Sequence, residues 1–219
     1  MFIIFFEEIF KMLTIVKHPL IEVKLDIMRD ENTKAKEFRE ALEEIASLMS
    51  FEVFKDIKTH ETEEIIKTPT GIELHKHRLD EKIILAPILR AGIGMVDGVR
   101  KMIPTARTGH IGIFRDEETL LPHEYYFKLP KVENPLVVVI DPMLATGGSA
   151  IDAISAVKKR GYTDIRLMCL VGVPQGVKAV QTAHPDVNIY LASLDEKLNE
   201  KGYILPGLGD AGDRIFGTK

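Results

Sequence analysis

A chain of 219 residues, 45% hydrophobic and 28% charged, has the makeup of a globular unit and excludes a disordered, collagen-like or disulfide-built protein. Its one cysteine, Cys169, excludes an internal disulfide and a cysteine-built zinc site, and points to a reducing compartment such as the cytoplasm. A net charge of −4 supplies no basic excess that would call for a nucleic-acid or membrane partner.

The first ten residues, MFIIFFEEIF, are apolar except for Glu7 and Glu8. The run is too short to span a membrane, and it lacks the basic start and small-residue cleavage site of a signal peptide. Residues 1–11 are either an apolar arm that packs on a neighbour or a misplaced start with Met12 as the true first residue. The second reading is preferred, because ordinary amphipathic sequence begins after Met12. Residues 34–54 read as a helix, with Phe38, Leu42, Ile45 and Met49 on one face and Asn32 or Thr33 as the cap. His60–Leu79 is mixed and polar and reads as edge structure. Ile83–Ile88 is a continuous apolar run, as in a strand covered on both faces. Gly92–Met102 reads as a turn and a helix, and Gly109–Phe114 as a strand. Leu136–Ile140 is the clearest buried strand. It passes through a glycine-rich turn into a helix carrying Ile151, Ile154 and Val157 on one face and ending at Gly161. Ile165–Val171 reads as a strand, Gln175–Ala183 as a helix and Val187–Ala192 as a strand. The fold class is therefore α/β, a mostly parallel twisted sheet flanked by helices. In such sheets ligands bind beyond the carboxyl ends of the strands, here after Ile88, Phe114, Ile140 and Val171.

The turn after the clearest strand is Asp141-Pro142-Met143-Leu144-Ala145-Thr146-Gly147-Gly148-Ser149. Each part suits a phosphate-bearing ligand. Gly147 and Gly148 let backbone approach an anion, and successive N–H groups at a helix start form an anion nest. Thr146 and Ser149 add hydroxyl donors, and Asp141 at the strand end faces a sugar hydroxyl. The turn has no Walker-type Gly-x-x-x-x-Gly-Lys. It resembles the 5-phosphoribosyl 1-diphosphate (PRPP) loop of the type I phosphoribosyltransferases. The single acid followed by proline is similar to the pattern of uracil phosphoribosyltransferases. Pro87-Ile88-Leu89-Arg90-Ala91-Gly92 resembles that family's diphosphate-binding turn, and Arg115 a second family arginine. Gly202–Asp213 resembles its uracil-binding hood, while His18-Pro19-Leu20 and Phe216–Lys219 resemble its ends.

The resemblance covers Met12 to Lys219. It implies one catalytic domain over 12–219 with a base-binding hood at about 194–219. The implied activity is formation of UMP and diphosphate from uracil and PRPP, in pyrimidine salvage. The implied PRPP contacts are Arg90, Arg115, Asp141, Pro142, Met143, Leu144, Ala145, Thr146, Gly147, Gly148, Ser149 and Asp210. The implied uracil contacts are Tyr203, Ile204, Gly209, Asp210 and Ala211. Asp141, Arg115 and Asp210 carry the catalytic roles, and Asp210 is the candidate for holding Mg²⁺, through water. The resemblance further implies a homodimer or larger homo-oligomer and, in some members, control by a nucleotide such as GTP, with no motif here that locates an effector site. Asp116–Lys131, too long for a tight turn between two strands, reads as a lid or arm.

Other features carry less. Gly92-x-Gly94-x-x-x-Gly98 follows a strand, but it is one residue too long for a dinucleotide fingerprint. His75 and His77 share a face without a third ligand, Glu61, Glu63 and Glu64 read as solvated, and Cys169 reads as core. Two alternatives stay open: transfer to another base such as orotate or a purine, and an RNA-binding or ligand-sensing relative of the fold.

Overall fold

The continuous apolar run at Leu136–Ile140 lies at the centre of the sheet, where both faces are covered. The computed structural model describes residues 12–115 and 122–218. In chain order its elements are β1 (Leu13–Ile15), α1 (Pro19–Arg29), α2 (Ala35–Val53), β2 (Thr59–Lys67), β3 (Glu73–Leu79), β4 (Ile83–Leu89) and α3 (Ile93–Met102). There follow β5 (Arg107–Thr108), β6 (His110–Arg115), β7 (Pro122–Lys128), β8 (Leu136–Leu144), α4 (Gly148–Lys159), β9 (Asp164–Gly172) and α5 (Pro174–Ala183). The chain closes with β10 (Asn188–Leu194), β11 (Lys197–Leu198), β12 (Ile204–Leu205) and α6 (Ala211–Phe216).

The main sheet runs β1-β10-β9-β8-β4-β6-β7, with β5 also paired to β4. Its pairings are parallel except for β7, which returns antiparallel on β6. Side chains alternate faces along a strand, so β8 feeds two cores. Leu136, Val138 and Ile140 join Phe38, Leu42, Met49 and Met95 beneath α2 and α3. Val137 and Val139 join Ile154, Val157 and Val177 beneath α4 and α5. Each fully buried aliphatic side chain contributes roughly 1.5–3 kcal/mol, so the strands that carry the site are the best-anchored part of the molecule.

The glycine run after β4 has a packing role. A Cβ on Gly98 would lie 2.1 Å from the Glu43 carbonyl oxygen, and one on Gly94 would lie 2.7 Å from a Leu42 methyl. These glycines let α3 lie close against α2.

Several local readings need correction. The N-cap of α2 is Lys34, with no side-chain cap bond. Asn32 and Thr33 close the preceding turn instead: Asn32 Nδ2 donates to Asp30 Oδ1 at 3.0 Å and Thr33 Oγ1 to the Ile27 carbonyl at 2.5 Å. α1 buries Ile21, Leu25 and Met28 on one face. The segment read as edge structure, β2 and β3, forms a separate antiparallel ladder outside the main sheet. Its residues are exposed at nearly every position, so no buried face imposes a period of two on the sequence. Of the expected arm, Pro122–Lys128 is β7 in the main sheet, and 116–121 lie outside the described residues, as do residues 1–11. The glycine-rich tail holds a short ladder and α6.

Candidate active site

The site is assembled at the carboxyl ends of β4, β8, β9 and β10. Leu144 pairs with Gly172, and Gly172 with Leu194, so three strand ends lie side by side. Val173 N–H donates to the Leu144 carbonyl at 3.2 Å, and Asp195 N–H to the Gly172 carbonyl at 2.7 Å.

The strand β8 runs farther than its apolar core, through Asp141, Pro142 and Met143 to Leu144. Pro142 and Leu144 are buried, Leu144 at 1% exposure, so they serve the core beneath the turn. The turn proper is Ala145–Gly147. Gly147 caps α4 in the left-handed region, φ 85°, where a side chain would be strained. Ser149 lies inside the first turn of α4. Among the described residues, no N–H from Thr146 to Ala150 donates to a backbone carbonyl, and the exposed Thr146 and Ser149 hydroxyls make no side-chain hydrogen bond. Five N–H groups and two hydroxyls thus converge on one helix start, which is the donor set a phosphate takes.

Asp141 is half-buried beside this turn and pairs in register with Cys169. Its Oδ1 accepts the Met143 N–H at 3.4 Å. No cation forms an ion pair with it among the described residues. Burial pushes its carboxyl up to about 7, and the Met143 N–H offsets only part of that. Burial, with Asp141 close by, also pushes the Cys169 thiol up, which keeps it an inert core group.

The turn after β4 reaches both β8, at Ile140, and the hood. A Cβ on Gly92 would lie 2.3 Å from the Ile140 carbonyl oxygen and 2.8 Å from Ile88 backbone. Only glycine lets this turn lie against the end of β8. Arg90 extends toward α6, with Nη2 3.8 Å from Asp213 Oδ1 and its guanidinium 5.6 Å from the Phe216 ring centre. Asp210 caps α6, its Oδ1 accepting the Asp213 N–H at 2.9 Å. A Cβ on Gly212 would lie 3.3 Å from Asp210 Oδ1 and 3.9 Å from Arg90 Nη2, so Arg90 and Asp210 face one small space.

The remaining sequence-derived residues fall into two groups. Ile204 and Ala211 are 3% and 2% exposed, and their side chains serve the core. Gly209, with φ 76°, and Tyr203, 40% exposed, lie at the surface of the hood. Tyr203, Asp210, Asp213 and Arg214 line a 390 Å³ cleft. A larger 620 Å³ cleft lies at the opposite end of β8, lined by 131–135 and 160–164, away from this chemistry. Arg115 ends β6, where its backbone pairs with Pro122; its side chain lies outside the described residues. The sequence reading missed Gly176, where a Cβ would meet the Ala145 carbonyl oxygen at 2.4 Å and so disturb the phosphate turn from behind.

No cluster of three or more His, Cys, Asp or Glu side chains occurs among the described residues. That donor set does not suit a protein-caged metal. It does suit Mg²⁺, which keeps most of its water and is bound chiefly by substrate phosphates. Asp210 fits as the one outer carboxylate, because its Oδ2 has no protein partner among the described residues.

Comparison with known proteins agrees with this arrangement. Residues 15–218 match the family model described as uracil phosphoribosyltransferase. The uracil phosphoribosyltransferase of Halalkalibacterium halodurans is 60% identical over 92% of this chain and 96% of its own. That of Clostridium acetobutylicum is 59% identical over 94% and 98%. Among solved structures, the AQ2163 protein from Aquifex aeolicus superposes with a TM-score of 0.87 at 37% identity, covering 95% of this chain and 99% of that one. A hypoxanthine-guanine phosphoribosyltransferase from Bacillus anthracis, at 12% identity and TM-score 0.51, shares the fold alone. A match spanning nearly the whole chain, over a strand-end acid, a phosphate turn and a C-terminal hood, places this chain in the uracil phosphoribosyltransferase family, as a pentosyltransferase.

Proposed function

We propose a division of labour for the family's reaction, in which uracil and PRPP give UMP and diphosphate in pyrimidine salvage. The bond from C1 of the ribose to the diphosphate oxygen breaks, a bond from uracil N1 to C1 forms, and the N1 proton is released. The 5′-phosphate rests on Thr146–Ser149. Asp141 accepts from a ribose hydroxyl and lies near C1, where positive charge grows as the diphosphate departs. Arg90 and Arg115 take the diphosphate, since a guanidinium fork matches phosphate oxygens. Asp210 would hold Mg²⁺ through water, and the ion would supply positive charge that stabilises the departing diphosphate. Backbone at Ile204 and Gly209–Ala211 reads the uncharged edge of uracil, with Tyr203 at its side.

The observation that carries this reading is the set of N–H groups and hydroxyls left unused among the described residues at the start of α4, next to a carboxylate that forms no ion pair with a described cation. An uncharged base also fits the hood. Arg214, a cation of the hood itself, donates to the carbonyls of Met28, Leu208 and Asp30 and lies 4.4 Å over the Phe38 ring, so it is not offered to a carboxylate such as that of orotate. Replacing Thr146 with Val and Ser149 with Ala together should raise the KM for PRPP about tenfold while leaving the KM for uracil within about twofold. Steady-state kinetics with each substrate varied tests this, and an unchanged KM for PRPP would remove the phosphate from this turn.

The proposal extends to a homo-oligomer in the cytoplasm. An isolated two-stranded ladder is marginal in water, and β2, β3 and the turn between them expose Ile65, Ile66, Ile72 and Leu74. A second copy of the chain covering them gives a sedimenting mass at least twice 24.6 kDa, and a monomer would refute it. No described helix is long and apolar enough to cross a membrane. A GTP-type effector enters only as a trait of the family, with no residue assigned to it.

A further inference from the structure

One group of buried charges has no part in the reaction just described. Asp195, at the end of β10, is 5% exposed. Arg29, the last residue of α1, meets it with both prongs, Nη1 to Oδ2 at 2.8 Å and Nη2 to Oδ1 at 2.7 Å. Ser193 Oγ also donates to Oδ1, at 2.7 Å. The pair has a second set of partners in the hood. Gly207 N–H donates to Asp195 Oδ2 at 2.9 Å, and Arg29 Nη1 donates to the Gly207 carbonyl at 2.6 Å. Both backbone polar groups of one glycine are thus held by one ion pair. Gly207 has φ 63°, and a Cβ there would lie 2.1 Å from the Ile204 carbonyl oxygen, so the turn can accept no other residue.

A buried ion pair gives little net stability over an apolar pair of the same volume. Its geometry, in contrast, is exacting: a bidentate fork fixes angle as well as distance. Gly207 lies between Ile204 on one side and Gly209–Ala211 on the other, the backbone assigned to the base. Gly207 carries no side chain of its own to pack, so hydrogen bonds to fixed partners hold its backbone.

We propose that Arg29 and Asp195 are positioning residues for the base: their ion pair clamps Gly207 and thereby sets the pose in which the hood backbone reads uracil. The inference rests on the hood reading above. The clamp touches neither PRPP nor the phosphate turn, so its loss should divide the two substrates. Arg29→Met is expected to raise the KM for uracil about tenfold or more, with the KM for PRPP within about twofold. Arg29→Lys keeps the charge but loses the fork, and should recover only part of the uracil affinity. The decisive variant is Arg29→Met with Asp195→Leu, which removes both charges. It should regain thermal stability relative to either single change, because no unpaired charge stays buried, yet keep the raised KM for uracil, because nothing then holds Gly207.

The experiment measures thermal midpoints and both KM values for these variants, together with photo-cross-linking of 5-iodouracil to the unaltered protein. An adduct within 199–214, with uracil affinity lost selectively and not regained in the double variant, supports the clamp. An adduct elsewhere overturns the hood reading and the clamp with it. An adduct in the hood with an unchanged KM for uracil, with both KM values raised equally, or with uracil affinity restored along with stability, overturns the clamp alone.

Discussion

Asp141→Asn should lower turnover by about 100-fold or more while making the folded protein more stable above neutral pH. Both effects follow from one displaced carboxyl. With the group pushed up to about 7 by burial, the folded protein holds this proton more tightly than the unfolded chain does. The acid therefore favours folding while protonated. Its contribution is lost as pH rises from about 4 through 7 and is fully absent above that. Asparagine has the same shape and never ionises, so the variant should melt about 5 °C or more above the parent at pH 8 and much closer to it at pH 5.5. The cost appears in the reaction, where a neutral amide cannot offset the positive charge growing at the ribose. The same displacement gives the parent an acidic limb: kcat/KM for PRPP should fall about tenfold per pH unit below about 7, because the free enzyme must ionise Asp141 before it can serve. Paired pH profiles and melting curves check this. A variant as active as the parent, or less stable at pH 8, would remove Asp141 from the proposed role.

The second large effect is expected at Gly92. Adding one methyl group there places a carbon 2.3 Å from the Ile140 carbonyl oxygen, a backbone atom next to Asp141. The neighbour cannot swing aside as a flexible side chain would, so the turn carrying Arg90 must lift away from β8. Overpacking of this kind costs roughly 1–3 kcal/mol. A displacement near 1 Å between reacting groups costs about 100-fold in rate. Gly92→Ala should accordingly stay folded at 25 °C, melt several degrees lower and lose about 100-fold in kcat/KM for PRPP. Replacing Gly161 with Ala is the control. Gly161, unlike Gly92, lies in the left-handed region, φ 89°, where a side chain is strained, but a Cβ there meets nothing within 4 Å, so stability alone should fall. Equal kinetic losses in the two variants would mean that close approach at Gly92 has no bearing on the chemistry.

What the sequence made legible follows from where side chains face. β4 and β8 are covered on both sides and read as unbroken apolar runs. α2 has one buried face and shows its period in Phe38, Leu42, Ile45 and Met49. β2 and β3 have no buried face and so gave no period, and α6 hides among glycines that are there for turns. The phosphate turn was legible because its chemistry is local: acid, glycines and hydroxyls lie within nine consecutive residues. The clamp is not local. Arg29 and Asp195 are 166 residues apart, and neither has a neighbour in sequence that announces the other. Close approach at Gly92 and Gly176 is equally invisible, because a glycine's reason lies in the atoms a Cβ would strike. In the Gly92-x-Gly94-x-x-x-Gly98 run, Gly94 and Gly98 bring α3 against α2, while Gly92 brings the turn against β8.

The central claim is that phosphate turn, Asp141 and hood together join one uncharged pyrimidine to PRPP. Product formation from PRPP and Mg²⁺ with uracil, cytosine, orotate, hypoxanthine and adenine in parallel tests it most directly. UMP and diphosphate in equal amounts from uracil, with no nucleotide from the other four bases, is the predicted result. Nucleotide from orotate or a purine at a comparable rate, or none from any base in protein that still binds PRPP, would contradict it.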